Sequence, residues 1–142
     1  DEAATLDDRA LAQALARKDR KGETEALRGR GNVHQFAGQM QKALGLYRQA
    51  IDVARAIGDT SGEARALSNA GIAYKDTGQS RRALEVQNQA LSLYQKVGNV
   101  RGEASVRNNL GSVYLSIGQY QNAVDAYQQA LSINRRVGDQ DG

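Results

Sequence analysis

The chain repeats itself every forty residues. Small residues recur at that spacing in successive copies: Gly22, Gly62, Gly102; Gly31, Gly71, Gly111; Gly38, Gly78, Gly118; Ala43, Ala83, Ala123; and Ala50, Ala90, Ala130. A fixed period of this size indicates stacked copies of one supersecondary unit, because a single unit cannot bury its apolar face alone. The period therefore restricts the fold to a repeat architecture, and it favours a binding surface over a catalytic pocket.

Each copy is predicted to contain two helices. In the copy that follows Gly58, apolar residues return at intervals of three and four, which is typical of one helical face. Asp59 suits a helix N-cap, Gly58 suits a left-handed C-cap, and Gly78 separates the two helices. The register predicts helices at about 20–37, 40–57, 60–77, 80–97, 100–117 and 120–137. Because the loops are two or three residues long, the paired helices are expected to be antiparallel.

One more amphipathic helix is predicted over 3–17, with Leu6, Leu11 and Leu15 on one side. The whole chain, 1–142, is therefore expected to form one domain that is a fragment of a longer array. Its parts are a half repeat at 1–18 and full repeats at 19–58, 59–98 and 99–138. Asp139 and Asp141 are assigned to the turn that would open another repeat. Neither end offers a polar cap, so the ends are expected to associate as a weak homodimer.

Two glycines inside the predicted first helices, Gly71 and Gly111, fall on the buried side. Glycine costs about 1 kcal/mol in a helix relative to alanine, so a packing reason is expected. Close approach of the paired helix supplies one, with Ala83 and Ala123 as the expected small partners.

Composition removes several classes of function. The chain has no cysteine, which excludes disulfides and thiol catalysis, and its single histidine, His34, aligns with Tyr74 and Tyr114 at a packing position. We therefore expect no enzyme, no cofactor, no metal and no small-molecule substrate. The net charge of +3 is too small to argue for nucleic acid. No apolar run is long enough to span a membrane and no secretory signal is visible, so a cytoplasmic protein without membrane insertion is expected.

The recurring residues resemble the signature of the tetratricopeptide repeat (TPR) family. In the last copy these are Leu110, Gly111, Tyr114, Gly118, Ala123, Tyr127 and Ala130, and the earlier copies repeat most of them. The long repeat is similar to the subclass found in Pins-type adaptors, kinesin light chains and bacterial scaffold and signalling proteins. The resemblance implies an all-α, right-handed solenoid of antiparallel helix pairs that acts as a protein-interaction module.

By the same resemblance, the first helix of each repeat lines a concave groove. The residues placed on that lining are Arg28, Asn32, Arg65, Asn69, Lys75, Ser105, Asn109 and Ser112. Asn69 and Asn109 lie one repeat apart, and an asparagine amide offers donors and an acceptor to the backbone of an extended peptide. Basic residues outnumber acidic ones on the lining, which favours a neutral to acidic protein or peptide partner. A solvated polar face, or an intramolecular bond to the next helix, is the alternative role for these asparagines.

Three functions other than binding an extended peptide in the groove are considered from the sequence: binding of a C-terminal carboxylate, self-assembly and nucleic-acid binding. Arg28, Asn32 and Asn69 match part of the clamp with which chaperone-type TPR domains bind C-terminal carboxylates, but Ser105 and Asn109 replace its last two basic residues. A free C-terminal carboxylate is therefore not the expected ligand. A self-assembling structural scaffold is the first alternative. Nucleic-acid binding through scattered arginines is a weaker one: Arg81, Arg82, Arg135 and Arg136.

Overall fold

The computed structural model describes residues 8–12 and 19–141, and within those residues it contains helices and no strand. The helices of the three full repeats are α1 (Arg20–Phe36), α2 (Met40–Ala56), α3 (Thr60–Asp76), α4 (Ser80–Val97), α5 (Val100–Ser116) and α6 (Tyr120–Asp141). Each helix contacts the next one along the chain, and α3 also contacts α1 and α5. The helices thus stack as a solenoid of three hairpins, as the period predicts.

The predicted half repeat lies mostly outside the described residues, including Leu6 and Leu15. Residues 8–12 are helical. Leu11 packs against the core of the repeats, and the carboxylate of Asp8 lies 2.8 Å from Nε of Arg30 on α1.

The turns between helices follow the glycine and cap pattern of the sequence. Five glycines, Gly38, Gly58, Gly78, Gly98 and Gly118, adopt the left-handed region with φ between 71° and 79°. The first helix of every repeat is also capped: the side chains of Asp19, Asp59 and Asn99 accept a hydrogen bond from the glycine amide three residues on, at 2.9–3.0 Å. These contacts explain why the predicted bounds of α1 to α5 agree with the structure to within a residue or two.

The core is built from alanine and leucine at recurring positions. Ala43, Ala83 and Ala90 are fully buried, and Leu27 and Leu67 are nearly so. Because alanine leaves little side chain between helices, their backbones can approach closely.

The glycines inside the first helices face a different partner from the one expected. A Cβ placed at Gly31, Gly71 or Gly111 would lie less than 3.0 Å from the side chain of Tyr47, Gln87 or Tyr127, respectively. The expected partners of Gly71 and Gly111, Ala83 and Ala123, are wrong. The facing residues, Gln87 and Tyr127, lie four residues, about one helical turn, further along the second helix than Ala83 and Ala123. The glycines instead make room for a large side chain.

The last helix is longer than predicted. The sequence pattern ends it at about 137 and places Asp139 and Asp141 in a turn, but α6 continues to Asp141. Gly138 is therefore helical and not among the glycines of the left-handed region. Each equivalent turn is held by a following helix that packs back onto its hairpin, and among the described residues no helix follows α6.

Candidate functional site

Seven of the eight predicted site residues join neighbouring first helices or lie beside residues that do. The first helices α1, α3 and α5 lie side by side, and we call the surface formed by their outward side chains the groove. Asn32, Arg65 and Ser105 are exposed on it, whereas the other five predicted residues are half-buried: Arg28, Asn69, Lys75, Asn109 and Ser112. No hydrogen bond from the side chain of Ser105 is seen within the described part of the chain.

A charged cluster lies near the start of α1 and α3. The two carboxylate oxygens of Glu25 each take one partner, Arg28 at 2.8 Å and Arg65 at 2.8 Å. Burial raises the pKa of Glu25, but the hydrogen bonds and charges of the two arginines together outweigh that effect and lower the pKa below its usual value. Glu25 is therefore ionised at neutral pH, and the cluster carries one net positive charge.

The middle of the α1–α3 junction is an amide network. Asn69 donates to Oδ1 of Asn32 at 2.9 Å, and the hydroxyl of Tyr47 lies 2.6 Å from that same oxygen and 2.6 Å from Oε1 of Gln35. A hydroxyl has a single hydrogen, so it donates to one of these two oxygens at a time. Burial raises the pKa of Tyr47 to about 12, which keeps this hydroxyl protonated at neutral pH.

Side-chain hydrogen bonds also join α3 to α5, but the residues that make them are different. Nδ2 of Asn109 donates to the hydroxyl of Ser68 at 2.9 Å, and Nζ of Lys75 donates to the hydroxyl of Ser112 at 2.8 Å. Lys75 also lies 3.9 Å from the carboxylate of Asp76. Asn69 and Asn109 therefore both make an intramolecular bond, as the alternative from the sequence supposed, but to the preceding first helix and not to the next helix. Their carbonyl oxygens make no side-chain hydrogen bond within the described part of the chain.

A shallow, largely open pocket of about 370 Å³ lies on the groove at the α1–α3 junction. Its apolar wall is formed by Phe36, Met40 and Ile72, and its polar wall by Asn32, Gln35, Asn69 and Asp76. Phe36 is 96% exposed, although it is the only phenylalanine of the chain.

Sequence reasoning missed Phe36, Met40 and Ile72 as groove residues. A signal for Phe36 does exist, because its equivalents one and two repeats on are Asp76 and Ser116. A phenylalanine at a position that is polar in the other copies indicates a surface role.

The histidine and two of the arginines that the sequence analysis considered for other functions contact residues close to them in the chain. Nδ1 of His34 lies 2.5 Å from Oε1 of Gln39, just before α2 begins. Arg81 pairs with Glu85 at 3.6 Å, and the guanidinium of Arg82 lies 5.9 Å from the centre of the Tyr74 ring. Among the described residues, no three histidine, aspartate or glutamate side chains converge as a metal site would require, and no helix has the length and hydrophobicity to cross a membrane.

Comparisons with known proteins identify the repeat. The family model described as tetratricopeptide repeat matches twice, over residues 22–96 and 62–136, which together span most of the chain. A search of curated proteins found no match.

Solved structures share the same arrangement of helices. BtubC (BKLC) from P. vanneervenii superposes with a TM-score of 0.85 at 25% identity, over 95% of this chain and 56% of BtubC. The TPR domain of Arabidopsis FLU gives a TM-score of 0.76 at 17% identity, over 82% of this chain and 98% of that domain. A Podosopora anserina putative kinesin light chain with nearly identical TPR-like repeats gives 0.71 at 19% identity, over 96% and 67% of the two chains. The chain thus spans little more than half the length of BtubC.

Proposed function

The chain belongs to the tetratricopeptide repeat family, and we propose that its groove binds an extended segment of a protein partner. Members of this family generally serve as interaction or scaffold modules. A fold alone does not specify a ligand, so the proposal depends on the groove of this particular chain.

The observation that carries the proposal is the pocket beside Phe36. Pockets that bind peptide side chains combine an apolar wall with a few polar groups that fix orientation, and this pocket has both. A phenylalanine that is 96% exposed contributes little to the stability of the fold. Aromatic side chains that become buried on binding are instead among the groups that carry most of the binding energy in protein interfaces.

Polar groups around the pocket suit the backbone of an extended segment. Asn32, Asn69 and Gln35 supply amide groups on one wall, and Asn109 supplies another one repeat further along. The charge of the groove supports a neutral to acidic segment, since the cluster of Glu25, Arg28 and Arg65 keeps one net positive charge while Lys75 lies near Asp76.

The test compares Phe36→Ala with Tyr120→Ala. Tyr120 is also an exposed aromatic residue, at 66%, but it does not line the pocket. Peptides are selected on the wild-type protein from a displayed library of random twelve-residue sequences, and their dissociation constants are then measured for each variant. We expect Phe36→Ala to weaken binding about tenfold, which is about 1.4 kcal/mol, with the melting temperature unchanged.

Two results would overturn the proposal: a library that yields no peptide binder, or binders that bind equally well to Phe36→Ala and to the wild-type protein.

Replacement of both Asn69 and Asn109 by alanine is a second test, but these residues bond neighbouring helices, so its effect on stability has to be measured alongside binding. Asn88→Ala, at an exposed position on α4, is the matched control for asparagine loss.

A second candidate function, self-association, is favoured by the outer face of α6. Val124, Tyr127 and Leu131 are 45%, 38% and 49% exposed, whereas their equivalents two repeats earlier are 2%, 0% and 8% exposed: Leu44, Tyr47 and Ile51. The earlier residues are covered by the next first helix. We infer that a second copy of the chain covers this face of α6 at high concentration, because apolar patches of this kind rarely remain free.

A further inference from the structure

We propose that the pocket beside Phe36 takes a basic side chain of the bound segment, and arginine in preference to lysine. The proposal rests on the proposed function and names the residue type that fills the pocket. Three features of the pocket carry it: the carboxylate of Asp76, the exposed ring of Phe36, and the apolar side chains of Met40 and Ile72.

Asp76 gives the pocket its charge. Among the described residues that line the pocket, it alone has a charged side chain, and that side chain is 39% exposed. Its carboxylate lies 3.9 Å from Nζ of Lys75, which is too far for a hydrogen bond, and Lys75 instead donates to the hydroxyl of Ser112 on α5 at 2.8 Å. No hydrogen bond to the carboxylate of Asp76 is seen in the part of the chain that the structure describes. A donor on a partner can therefore reach this exposed acid without displacing a bond of the fold.

The place of Asp76 in its helix strengthens the attraction for a cation. Asp76 is the last residue of α3, and the C-terminus of a helix carries a partial negative charge, so an acid there does not stabilise the helix. The equivalent residues of α1 and α5 are Phe36 and Ser116, so the repeat does not require an acid at this position. Because α1 also ends at the pocket, with Phe36, two helix C-termini and a carboxylate contribute negative potential in one place.

The apolar side chains of the pocket suit the remainder of a basic residue. A cation is attracted to the face of an aromatic ring, and the Phe36 ring, which is 96% exposed, is free to turn a face toward a ligand. Met40 and Ile72 offer apolar surface to the methylene groups that carry the charged head. An aliphatic or aromatic anchor would contact these residues too, but it would remove water from Asp76 and give the carboxylate no partner.

The polar wall favours arginine over lysine. A guanidinium has five donors in a planar fork, binds a carboxylate through two of them, stacks on aromatic rings and is more weakly hydrated than an ammonium group. Asn32, Gln35 and Asn69 supply amide groups on the same wall for the donors that the carboxylate leaves unused. A lysine would satisfy Asp76 but would use fewer of these groups.

A basic anchor is compatible with a segment that is neutral or acidic as a whole, because the positive cluster of the groove lies elsewhere. Arg28 precedes Phe36 by eight residues, which corresponds to about 12 Å along α1. An extended segment covers that distance in about four residues. We therefore expect an acidic residue three or four positions away from the basic one.

The experiment uses the same displayed twelve-residue library, selected separately on the wild-type protein and on Asp76→Asn, which removes the charge at the same size. Because Asp76 ends a helix, this change should not lower the melting temperature. Asp52→Asn, at an exposed position on α2, is the matched control. Synthetic peptides from the wild-type selection are then compared with versions in which the enriched residue is norleucine, which keeps a methylene stem and carries no charge.

We expect arginine, and less often lysine, to be enriched at one peptide position on the wild-type protein and on Asp52→Asn, and not on Asp76→Asn. Replacement of that residue by norleucine should weaken binding to the wild-type protein about fivefold, the upper range for an ion pair that stays partly in water. The same replacement should have a clearly smaller effect on binding to Asp76→Asn. Phe36→Leu, which keeps an apolar wall without a ring, should weaken binding of the arginine peptide about threefold and affect the norleucine peptide less.

Binders without a basic residue at a common position, or with one that is enriched equally on Asp76→Asn, would overturn the basic anchor and leave groove binding intact. Equal losses on norleucine replacement in the wild-type protein and in Asp76→Asn would also overturn it, because the basic residue would then bind elsewhere. The absence of any binder would overturn both proposals.

Discussion

Glycine has two different roles in the first hairpin. Gly31, inside α1, lies against the ring of Tyr47, so that a Cβ there would be 2.5 Å from a ring carbon. A Cβ placed at Gly45, inside α2, would have no atom of a packed neighbour within 4 Å. Replacement of each glycine by alanine, which adds one methyl group, should therefore change the stability of the fold in opposite directions at Gly31 and Gly45.

We predict that Gly45→Ala raises the free energy of unfolding by about 0.5–1 kcal/mol, the helix-propensity difference between the two residues. Gly31→Ala should lower it by about 1–3 kcal/mol, because the tyrosine ring has to move out of a packed position. Urea unfolding of both variants measures the two values. A loss of stability in Gly45→Ala, or none in Gly31→Ala, would contradict this assignment of the packing.

The second residue-scale prediction concerns Glu25 and pH. Burial raises the pKa of this carboxyl, but Arg28 and Arg65 together lower it below the usual value of 4.5. The unfolded state therefore takes up the proton first as the pH falls. The stabilisation from Glu25 is present above about pH 4.5 and is lost as the pH falls through the lower, folded-state pKa.

We expect the difference in unfolding free energy between the wild-type protein and Glu25→Gln to be largest near neutral pH and to shrink below about pH 4.5. Urea titrations at several pH values between 7 and 3 measure it. A difference that is constant over this range would show that the arginines do not stabilise the ionised carboxylate.

At the scale of the helix, the caps differ between the two members of each pair. Asp59, at the start of α3, accepts from the amide of Gly62 at 3.0 Å, whereas Gln79, at the start of α4, makes no side-chain cap bond. The same asymmetry recurs for Asp19 and Gln39. The first helices, which form the groove, are therefore the ones with fixed N-termini.

We predict that Asp59→Ala destabilises the protein by about 1 kcal/mol, the usual loss for an N-cap that is replaced by alanine. Gln79→Ala is the matched control and should cost clearly less. Thermal or urea unfolding of both variants measures the difference. Equal losses would mean that the cap bond of Asp59 adds nothing to the stability of α3.

Helix positions were predictable from the sequence because they depend on local signals. Gly58 and Asp59 mark a boundary whatever packs around them, and the period copies that boundary along the chain. The side chain opposite Gly71 depends on how two helices cross, which no local signal records, so Gln87 was missed as its partner. The pocket was missed for a related reason: Phe36 and Ile72 come from different helices, and only the stacking of α1 on α3 brings them together.

At the scale of the whole molecule, the last repeat differs from the others in what covers it. The apolar face of α6 contains Val124, Tyr127 and Leu131. A separate surface pocket on α6, which Leu131 also lines, contains Arg135 and Arg136. The arginines limit how closely a second copy can approach, so the association is expected to be weak.

We predict that the wild-type protein forms dimers at hundreds of micromolar and that Leu131→Lys stays monomeric, because a charge on this face cannot be buried without a partner. Val97→Lys, at another exposed apolar position, serves as the control and should dimerise as the wild type does. Sedimentation across a concentration series measures the state of each. A wild-type protein that is monomeric throughout would contradict self-association.

The most direct test of the central claim is to map where a selected peptide binds. Titration of the isotope-labelled protein with the peptide, followed by backbone amide chemical shifts, reports every helix at once. Groove binding predicts that the large shift changes fall on α1, α3 and α5, with the largest around Phe36, Asn69 and Ile72. Large changes confined to α2, α4 and α6 would place the partner on the opposite surface and would contradict the account.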